Sequence, residues 1–215
     1  RIDLVIFING LALFAIELKF NPSGQSVQDA IKQLKGRNAK NRLFRFEQGV
    51  LASFAVDTLE VYMTTQLKGQ ETYFLPFNMG KGQGIDMGSG NPHNPDGFDT
   101  EYLWLDVMTK DSILQLIESF IFFEIDKKNP KKKTLIFPRY HQRRAVSRLL
   151  EDMRSNHTES NYLIQHSAGS GKTNTIAWLA HSLVSLHDEE NNNIVDTVLI
   201  VTDRIVVDRQ LQDAV

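Results

Sequence analysis

The sequence predicts an α/β protein in two parts, and three observations carry that prediction. Two apolar runs, Leu4–Ile8 and Leu11–Leu18, flank Asn9-Gly10, a dipeptide typical of a tight β-hairpin. Apolar residues then recur at helical spacing between Val27 and Leu34. In the second half, short apolar runs alternate with helical patterns, as in proteins built on a parallel sheet.

The first half continues as mixed α/β structure. Val27, Ala30, Ile31 and Leu34 predict an amphipathic helix because they share one helical face. Further strands are expected at residues 50–56, 60–65 and 72–75, and a helix at 112–123. Six of the 13 glycines fall within residues 78–100, which predicts a long irregular loop.

The second half follows a basic stretch, Lys127–Lys133, that we interpret as part of a linker. Helices are predicted at 138–153 and 171–186, with a polar loop at 188–193. Buried strands are expected at 162–165 and 198–202, and the last residues begin another helix. The predicted domains are therefore residues 1–126, a linker at 127–137, and residues 138–215.

Composition limits the classes of protein to consider. The chain has 215 residues, is 41% hydrophobic and carries a formal net charge of −2, so it is neither disordered nor broadly basic. It has no cysteine, which excludes disulfide scaffolds and thiolate chemistry. The longest apolar stretch, Leu4 to Ile16, is too short to span a bilayer. We expect a soluble, cytoplasmic protein without membrane contact, and a piece of a longer one.

A phosphate-binding loop lies between a predicted strand and a predicted helix, with the sequence His166-Ser167-Ala168-Gly169-Ser170-Gly171-Lys172-Thr173. Gly169 and Gly171 allow the loop backbone to approach phosphate oxygens closely. The N–H groups of these glycines and of Ser170 between them would then bind those oxygens. Lys172 would reach the β- and γ-phosphates of ATP, and Thr173 would hold Mg²⁺ through its hydroxyl. The alternative is a glycine-rich turn with a chance lysine, but the flanking elements favour nucleotide binding.

Two flanking segments resemble other motifs of superfamily 2 helicases, which also relax the glycine that His166 replaces here. Residues 137–142 are similar to the motif whose glutamine reads adenine, which would be Gln142. Residues 198–204 are similar to the motif at the end of the next helicase strand, which contacts nucleic-acid phosphates. Arg204 is the candidate DNA contact. The alternatives are that residues 137–142 are an ordinary helix start and that Arg204 is a surface arginine without a role.

Two carboxylates and a lysine meet at the open end of the predicted hairpin. Glu17 and Lys19 share one face of their strand, since strand side chains alternate. With Asp3 beside them they could hold a divalent cation for phosphodiester hydrolysis. A two-residue loop at Asn9-Gly10 would pair Asp3 with Ile16, however. We therefore predict an odd-numbered loop or a glycine bulge near Gly10, which places Asp3 opposite Glu17.

This pattern resembles the core of PD-(D/E)xK nucleases, with Ile2 in place of the usual proline. The resemblance implies Asp3 and Glu17 as Mg²⁺ ligands, together with the Leu18 carbonyl, and Lys19 as the group that orients the attacking water. Gln33 on the next helix would supply a glutamine motif of the restriction nucleases. Arg37 stands where a tyrosine often follows that glutamine. The alternative is a hairpin with ordinary surface charges.

The chain as a whole resembles the R subunit of type I restriction enzymes. The segments that carry the resemblance are Asp3-Leu4-Val5, Ile16-Glu17-Leu18-Lys19, residues 61–65, residues 74–78 and residues 162–178. It implies a PD-(D/E)xK nuclease-like mixed-sheet domain followed by the start of a RecA-like P-loop domain. It also implies Mg²⁺ and ATP as cofactors, with double-stranded DNA and the methyltransferase and specificity subunits as partners.

Two further readings stay open at this stage. One is another superfamily 2 motor with a fused nuclease domain, for example a type III restriction or repair protein. The other is a non-catalytic module that binds DNA or nucleotide. Basic runs agree with DNA handling in each case. Residues 32–45 hold six basic side chains and no acid, so Arg37 is a candidate DNA contact, whereas residues 127–144 hold eight and fit a solvated linker equally well.

Overall fold

Two compact units make up the fold in a computed structural model that describes residues 1–82, 88–156 and 160–203. The first holds Arg1–Leu116 and Ile121–Arg139, and the second holds Ile117–Phe120 and the residues from Tyr140 onwards. None of the helices in these described ranges combines the length and the apolar composition that crossing a bilayer requires.

A five-stranded mixed sheet is the centre of the first unit. Its strands, in both chain and spatial order, are β1 (Leu4–Ile8), β2 (Leu11–Leu18), β3 (Ala52–Val56), β4 (Val61–Thr64) and β5 (Leu75–Pro76). β2 and β3 are parallel, and the other neighbours are antiparallel. The predicted hairpin and the two following strands are confirmed, whereas only the last residue of the strand predicted at 72–75 pairs with the sheet.

The helix predicted from Val27 to Leu34 is α1 (Val27–Lys35), and it packs on one face of this sheet. Its four predicted apolar residues are buried in a cluster with Ala55, Leu67 and Phe74. The Asp57 carboxylate, itself buried at the end of β3, accepts a 2.7 Å hydrogen bond from the Val27 N–H. Because this contact fixes the first turn of α1, the helix is held in one position over β2 and β3.

Aromatic side chains fill the opposite side of the sheet. Phe14 of β2 and Phe54 of β3 contact each other edge to face, with ring centroids 5.7 Å apart. Phe77 and Phe137 pack against Phe54 at 5.5 and 6.0 Å. Side chains alternate along each strand, so these rings lie on one face while Ala15, Glu17 and Ala55 are directed to the other, which α1 covers.

Beyond the sheet, the first unit contains the irregular loop predicted at 78–100, and its described residues form no helix or named strand. The chain then continues through α2 (Lys110–Gln115) and the hairpin β6 (Phe122–Ile125) and β7 (Lys133–Ile136). The helix predicted at 112–123 ends at Phe120, because Phe122 and Phe123 pair with β7 instead. Lys133–Ile136, within the predicted linker, is therefore a strand.

Two helices dominate the second unit, α3 (Tyr140–Asn156) and α4 (Lys172–Val184), and they pack against each other. Both match predicted helices. The strands predicted at 162–165 and 198–202 are wrong, because both segments are irregular and Leu163 and Leu199 are 94% and 84% exposed. A parallel strand takes its hydrogen bonds from neighbours, and no strand lies beside either segment in the described residues. The helix predicted for the last residues lies outside them.

Candidate active site

A β-bulge at Leu13 sets the register of the first hairpin. Asn9 and Gly10 form a two-residue turn with positive φ angles of 49° and 80°. Next to the turn Ile8 faces Leu11, but Ile6 faces Phe14, which leaves Leu13 as an extra residue on β2. The predicted odd-numbered loop or glycine bulge is thus wrong. The loop has two residues, and the bulged residue is a buried leucine.

The register that the prediction required is nevertheless present. Beyond the bulge Leu4 pairs with Ile16, so Asp3 and Glu17 are the next two residues to face each other. The Leu18 N–H donates a 2.9 Å hydrogen bond to Asp3 Oδ2. The bulge therefore places both predicted carboxylates opposite each other on one face of the hairpin, whereas a two-residue loop without a bulge would pair Asp3 with Ile16.

Glu17 is a charged side chain with no exposed surface. Its Oε2 lies 2.8 Å from Arg37 Nη2, and its Oε1 lies 3.6 Å from Lys19 Nζ. Oε1 accepts no hydrogen bond from the described part of the chain. A buried carboxylate needs compensating charge, and here two cations surround it while one oxygen keeps unused acceptor capacity.

Gln33 and Lys19 meet beside Glu17. Gln33 lies on the flank of α1 that overlooks the end of β2, and its Oε1 accepts a 2.9 Å hydrogen bond from Lys19 Nζ. The Lys19 side chain is only 10% exposed, so this bond fixes the direction of its ammonium group. The structure thus brings together Glu17, Lys19 and Gln33, three residues that the sequence proposed as a set.

Arg37 occupies a place that the sequence did not predict. We expected a contact with DNA, but its guanidinium binds Glu17 and also the main-chain carbonyl of Arg1. It comes four residues after Gln33, one helical turn on, so it approaches Glu17 from the end of α1. The signal available in the sequence was this spacing, but spacing alone does not say whether a long cation points outward or inward.

The donors at this site fit a magnesium ion of the kind that keeps several water ligands. Mg²⁺ is commonly held by one or two carboxylates and water rather than by an all-protein cage. Asp3 and Glu17 supply two such carboxylates. No group of three or more His, Cys, Asp or Glu side chains suited to a metal occurs in the residues described. The fit therefore depends on the hairpin end alone.

The phosphate loop precedes α4 as predicted. Gly169 and Gly171 have φ angles of 73° and 81°, in the left-handed region that favours glycine. Lys172 begins the helix, and its Nζ donates to the carbonyls of His166 and Ser167 at 3.1 and 2.8 Å. The ammonium group therefore lies over the loop, where it binds two main-chain carbonyl oxygens. Thr173, the predicted Mg²⁺ ligand, is half-buried in the same turn.

Gln142 contacts this loop from α3. Its buried amide nitrogen donates a 2.9 Å hydrogen bond to the Gly171 carbonyl, and a Cβ at position 171 would lie 2.6 Å from that nitrogen. Ser170, also part of the predicted site, is buried, and its Oγ has no hydrogen-bond partner in the described residues. Gln142 thus fixes the loop at the glycine before Lys172, in addition to any contact with adenine.

Two histidines beside the loop were not predicted as functional. The rings of His141 and His166 meet edge to face, with centroids 4.8 Å apart. Burial lowers the pKa of His166, and the positive charge of Lys172 lowers it further. Position alone marked His166 in the sequence, since it stands where related loops carry glycine. Arg204, the other predicted DNA contact, lies outside the described residues.

Two family models match the chain. Residues 1–72 match the model described as type I restriction enzyme R protein N terminus, and residues 135–215 match the model described as type III restriction enzyme, res subunit. No solved structure matches the chain at a significant level.

Curated relatives match almost the whole chain. Two from Methanocaldococcus jannaschii, named as the type I restriction enzyme endonuclease subunits MjaVIIIP and MjaVIIP, are each 29% identical to it. The alignments cover 98% and 99% of this chain but 19% of each relative, so the chain spans about a fifth of their length. These findings confirm the predicted resemblance to the R subunit of type I restriction enzymes.

Proposed function

Because the chain is similar to the N-terminal part of type I restriction R subunits, we propose that its first unit is a Mg²⁺-dependent endonuclease of double-stranded DNA. We propose further that residues 138–215 begin the RecA-like part of an ATP-dependent DNA translocase of superfamily 2. In this proposal the protein works in the cytoplasm, in a complex with methyltransferase and specificity subunits. The domain limits of 1–126, 127–137 and 138–215 are part of the same proposal.

The observation that carries the nuclease assignment is the arrangement around Glu17. A hairpin with surface charges alone, the plain alternative, has no reason to bury a carboxylate completely. Here Glu17 is fully buried and keeps one oxygen without a hydrogen bond, beside a lysine that a glutamine holds in place. Arg37 and Lys19 offset the cost of burying this charge, but a structural ion pair does not explain the oxygen left without a hydrogen bond, whereas a metal ion that shares the carboxylate does.

Each residue of the site has a defined task in hydrolysis. Asp3, Glu17 and the Leu18 carbonyl would hold the metal ion, which would supply Lewis-acid activation of water and offset charge on the phosphate. Lys19 directs its ammonium group at the attacking water and the phosphate oxygens. Gln33 fixes the direction of Lys19 through their 2.9 Å hydrogen bond. Water thereby adds across a P–O bond of the DNA backbone.

The loop before α4 is proposed to bind ATP. Gly169, Ser170 and Gly171 present their N–H groups to phosphate oxygens, and Lys172 exchanges its two carbonyl partners for the β- and γ-phosphates. Thr173 supplies a hydroxyl to Mg²⁺. Gln142, which contacts the loop at the Gly171 carbonyl, binds the adenine base of ATP. ATP hydrolysis and movement along DNA are proposals for a whole protein of which this chain matches about a fifth.

A type III enzyme is the one competing assignment with an observation in its favour, since residues 135–215 match the res subunit model. That match covers only the second part. The first 72 residues match the type I model, and the relatives named as type I subunits align along nearly the whole chain. The two parts taken together therefore favour type I.

Calorimetric titration of Mn²⁺ or Ca²⁺ into the 215-residue chain tests the nuclease site. Glu17→Gln keeps the shape of the side chain and removes its charge, so binding is expected to disappear. Glu71→Gln makes the same change at an exposed position and is the matched control. Lys172→Ala is expected to leave metal binding unchanged and to abolish binding of an ATP analogue.

Each result has one meaning. Metal binding that survives Glu17→Gln would contradict the carboxylate site, and nucleotide binding that survives Lys172→Ala would contradict the ATP site. The two halves of the proposal are thus tested separately in one set of variants.

A further inference from the structure

The lysines at residues 127–133 lie at the tip of the β6–β7 hairpin. Five lysines occur in these seven residues, and all five are exposed. We call residues 126–133 the basic tip. It belongs to the first unit, the same one that contains Glu17.

Hydrogen bonds hold the basic tip in one conformation. Asp126 Oδ1 accepts from the N–H groups of Lys128 and Asn129 at 2.8 and 3.2 Å, and the Asp126 N–H donates to the Lys132 carbonyl at 3.0 Å. The Lys132 N–H in turn donates to the Asn129 carbonyl at 2.8 Å. These backbone N–H groups lower the pKa of Asp126, so its carboxylate stays charged and keeps the turn closed.

The hairpin is anchored in the core of the first unit. Leu135 of β7 is buried, and Phe137 directly after it joins the aromatic cluster around Phe54. At its side, Phe123 meets Phe46 edge to face at 5.9 Å, and Lys133 Nζ lies 3.0 Å from Glu47 Oε1. These contacts fix the position of the hairpin on the first unit.

The charges of the basic tip are only partly compensated. Lys132 is paired with Asp126 at 3.7 Å, and Lys133 with Glu47. Lys128 and Lys131 form no ion pair with any described residue. Phe46 and Glu47, which hold the hairpin, directly follow residues 32–45 with their six basic side chains and no acid. The hairpin therefore adds unneutralised positive charge at the end of a segment that is itself basic.

We propose that the basic tip binds the phosphate backbone of duplex DNA, independently of sequence, as a contact separate from the metal site. Two exposed, unpaired ammonium groups on a preformed turn are suited to adjacent phosphates, because lysine binds phosphate as a point charge and little order is lost on binding. The choice of DNA as the partner rests on the proposed nuclease function, since the basic tip and Glu17 share one unit.

Exposed aromatic residues near the tip, Phe122 and Phe123, raise a different partner class, an anionic membrane surface. The ordered turn and the link to a second basic segment favour DNA, because a duplex presents rows of phosphates to which fixed charges can be matched. Vesicles are therefore included in the test as the competing outcome.

The test compares two double variants that remove the same charge. Lys128→Gln with Lys131→Gln changes the basic tip, and Lys68→Gln with Lys110→Gln changes two exposed lysines elsewhere in the same unit. Binding to a duplex of about 30 base pairs is measured by fluorescence anisotropy over a range of salt concentrations, with chelator present to exclude divalent metal. Thermal unfolding confirms that both variants are folded.

We expect the basic-tip variant to lose about 60-fold in affinity near 0.1 M salt, since each phosphate contact contributes a factor of about [salt]^−0.9. The slope of log K against log [salt] should become less steep by about 1.8, and the control variant should change neither quantity. Equal affinities for the two variants would overturn the proposal. So would a loss of binding to phosphatidylserine vesicles with no loss on DNA.

The outcome is independent of the nuclease assignment. If the basic-tip variant loses DNA affinity while the unchanged chain binds no metal, the DNA-binding surface stands and the nuclease proposal fails. If metal binding is found and the two lysine variants bind DNA equally, the nuclease proposal stands and the basic tip has no role in DNA binding.

Discussion

Arg37 Nη2 lies 2.8 Å from Glu17 Oε2, so a residue expected to reach toward DNA instead compensates the one fully buried carboxylate of the candidate site among the described residues. The guanidinium and a metal ion would both be drawn to this carboxylate. Arg37 holds Oε2, whereas Oε1 has no hydrogen bond. Arg37 therefore occupies one oxygen of Glu17, whereas the other, 3.6 Å from Lys19 Nζ, keeps acceptor capacity that a metal ion can use.

Replacing Arg37 by alanine is expected to weaken the fold and strengthen metal binding. Without the guanidinium a buried charge loses its nearest partner, which we expect to lower the free energy of unfolding by about 3 kcal/mol, the low end of the usual range because Lys19 still compensates part of the charge. Divalent metal should then restore more stability to the variant than to the unchanged chain. Thermal unfolding with and without Mn²⁺ measures this, and Arg42→Ala, an exposed arginine, is the control. A variant that metal does not stabilise further would argue against competition at Glu17.

Gln33→Ala is expected to impair hydrolysis more than metal binding. The substitution removes the acceptor of the Lys19 ammonium group and leaves Asp3 and Glu17 untouched. Removing such a supporting partner typically costs about 10–100-fold in activity. Cleavage of a DNA duplex and Mn²⁺ affinity are measured in parallel, with Gln28→Ala, an exposed position on the same helix, as the control. If the two quantities fell together, Gln33 would have a structural role and not a positioning one.

The length of β1 provides a test of the hairpin register. Deleting Phe7, the exposed residue that faces Ala12, shortens β1 by one residue, so Asp3 would no longer face Glu17 and metal binding should be lost. Leu13→Ala keeps the number of residues and should keep metal binding, at a cost of about 2–4 kcal/mol for the lost buried side chain. Calorimetry on the two variants distinguishes register from packing. A variant without Phe7 that still binds metal would show that the hairpin register does not position the site.

The pKa of His166 is expected to lie below 6.5, its ordinary value, because burial and the nearby charge of Lys172 disfavour the protonated ring. The unfolded chain then binds more protons than the folded one as the pH falls below 6.5. The stability that depends on the neutral His166 ring is therefore fully present above pH 6.5. It is lost as the pH falls toward the pKa of His166 in the folded chain.

An NMR titration of the histidine ring protons measures this pKa, and His166→Gln assigns the signal. Urea unfolding at about pH 7.5 and pH 5.5 should show a smaller pH dependence for His166→Gln than for His181→Gln, an exposed histidine on α4. A midpoint for His166 at or above 6.5 would contradict the expectation. It would indicate that the edge-to-face contact with His141 favours the charged ring more than burial and Lys172 disfavour it.

Local sequence determined several elements of this protein. Asn9-Gly10 specified the turn because its residues tolerate positive φ, and the spacing of Val27, Ala30, Ile31 and Leu34 specified which face of α1 is buried. The phosphate loop was equally visible, since its glycines, Lys172 and the start of α4 are consecutive. Each of these features depends on residues within about two helical turns of one another, the range over which side-chain patterns act directly.

Tertiary structure decided the rest. The bulge at Leu13 lies in a strand that is buried on both faces, and no property of leucine marks a bulge. Segments 162–165 and 198–202 are apolar enough for strands, but a strand needs hydrogen-bond partners that composition cannot supply. The pairing of Arg37 with Glu17 joins residues 20 positions apart, and it arises only when α1 is placed over β2. Sequence thus identified the chemical groups, and packing decided which of them meet, because a buried charge takes its partner from whatever element covers it.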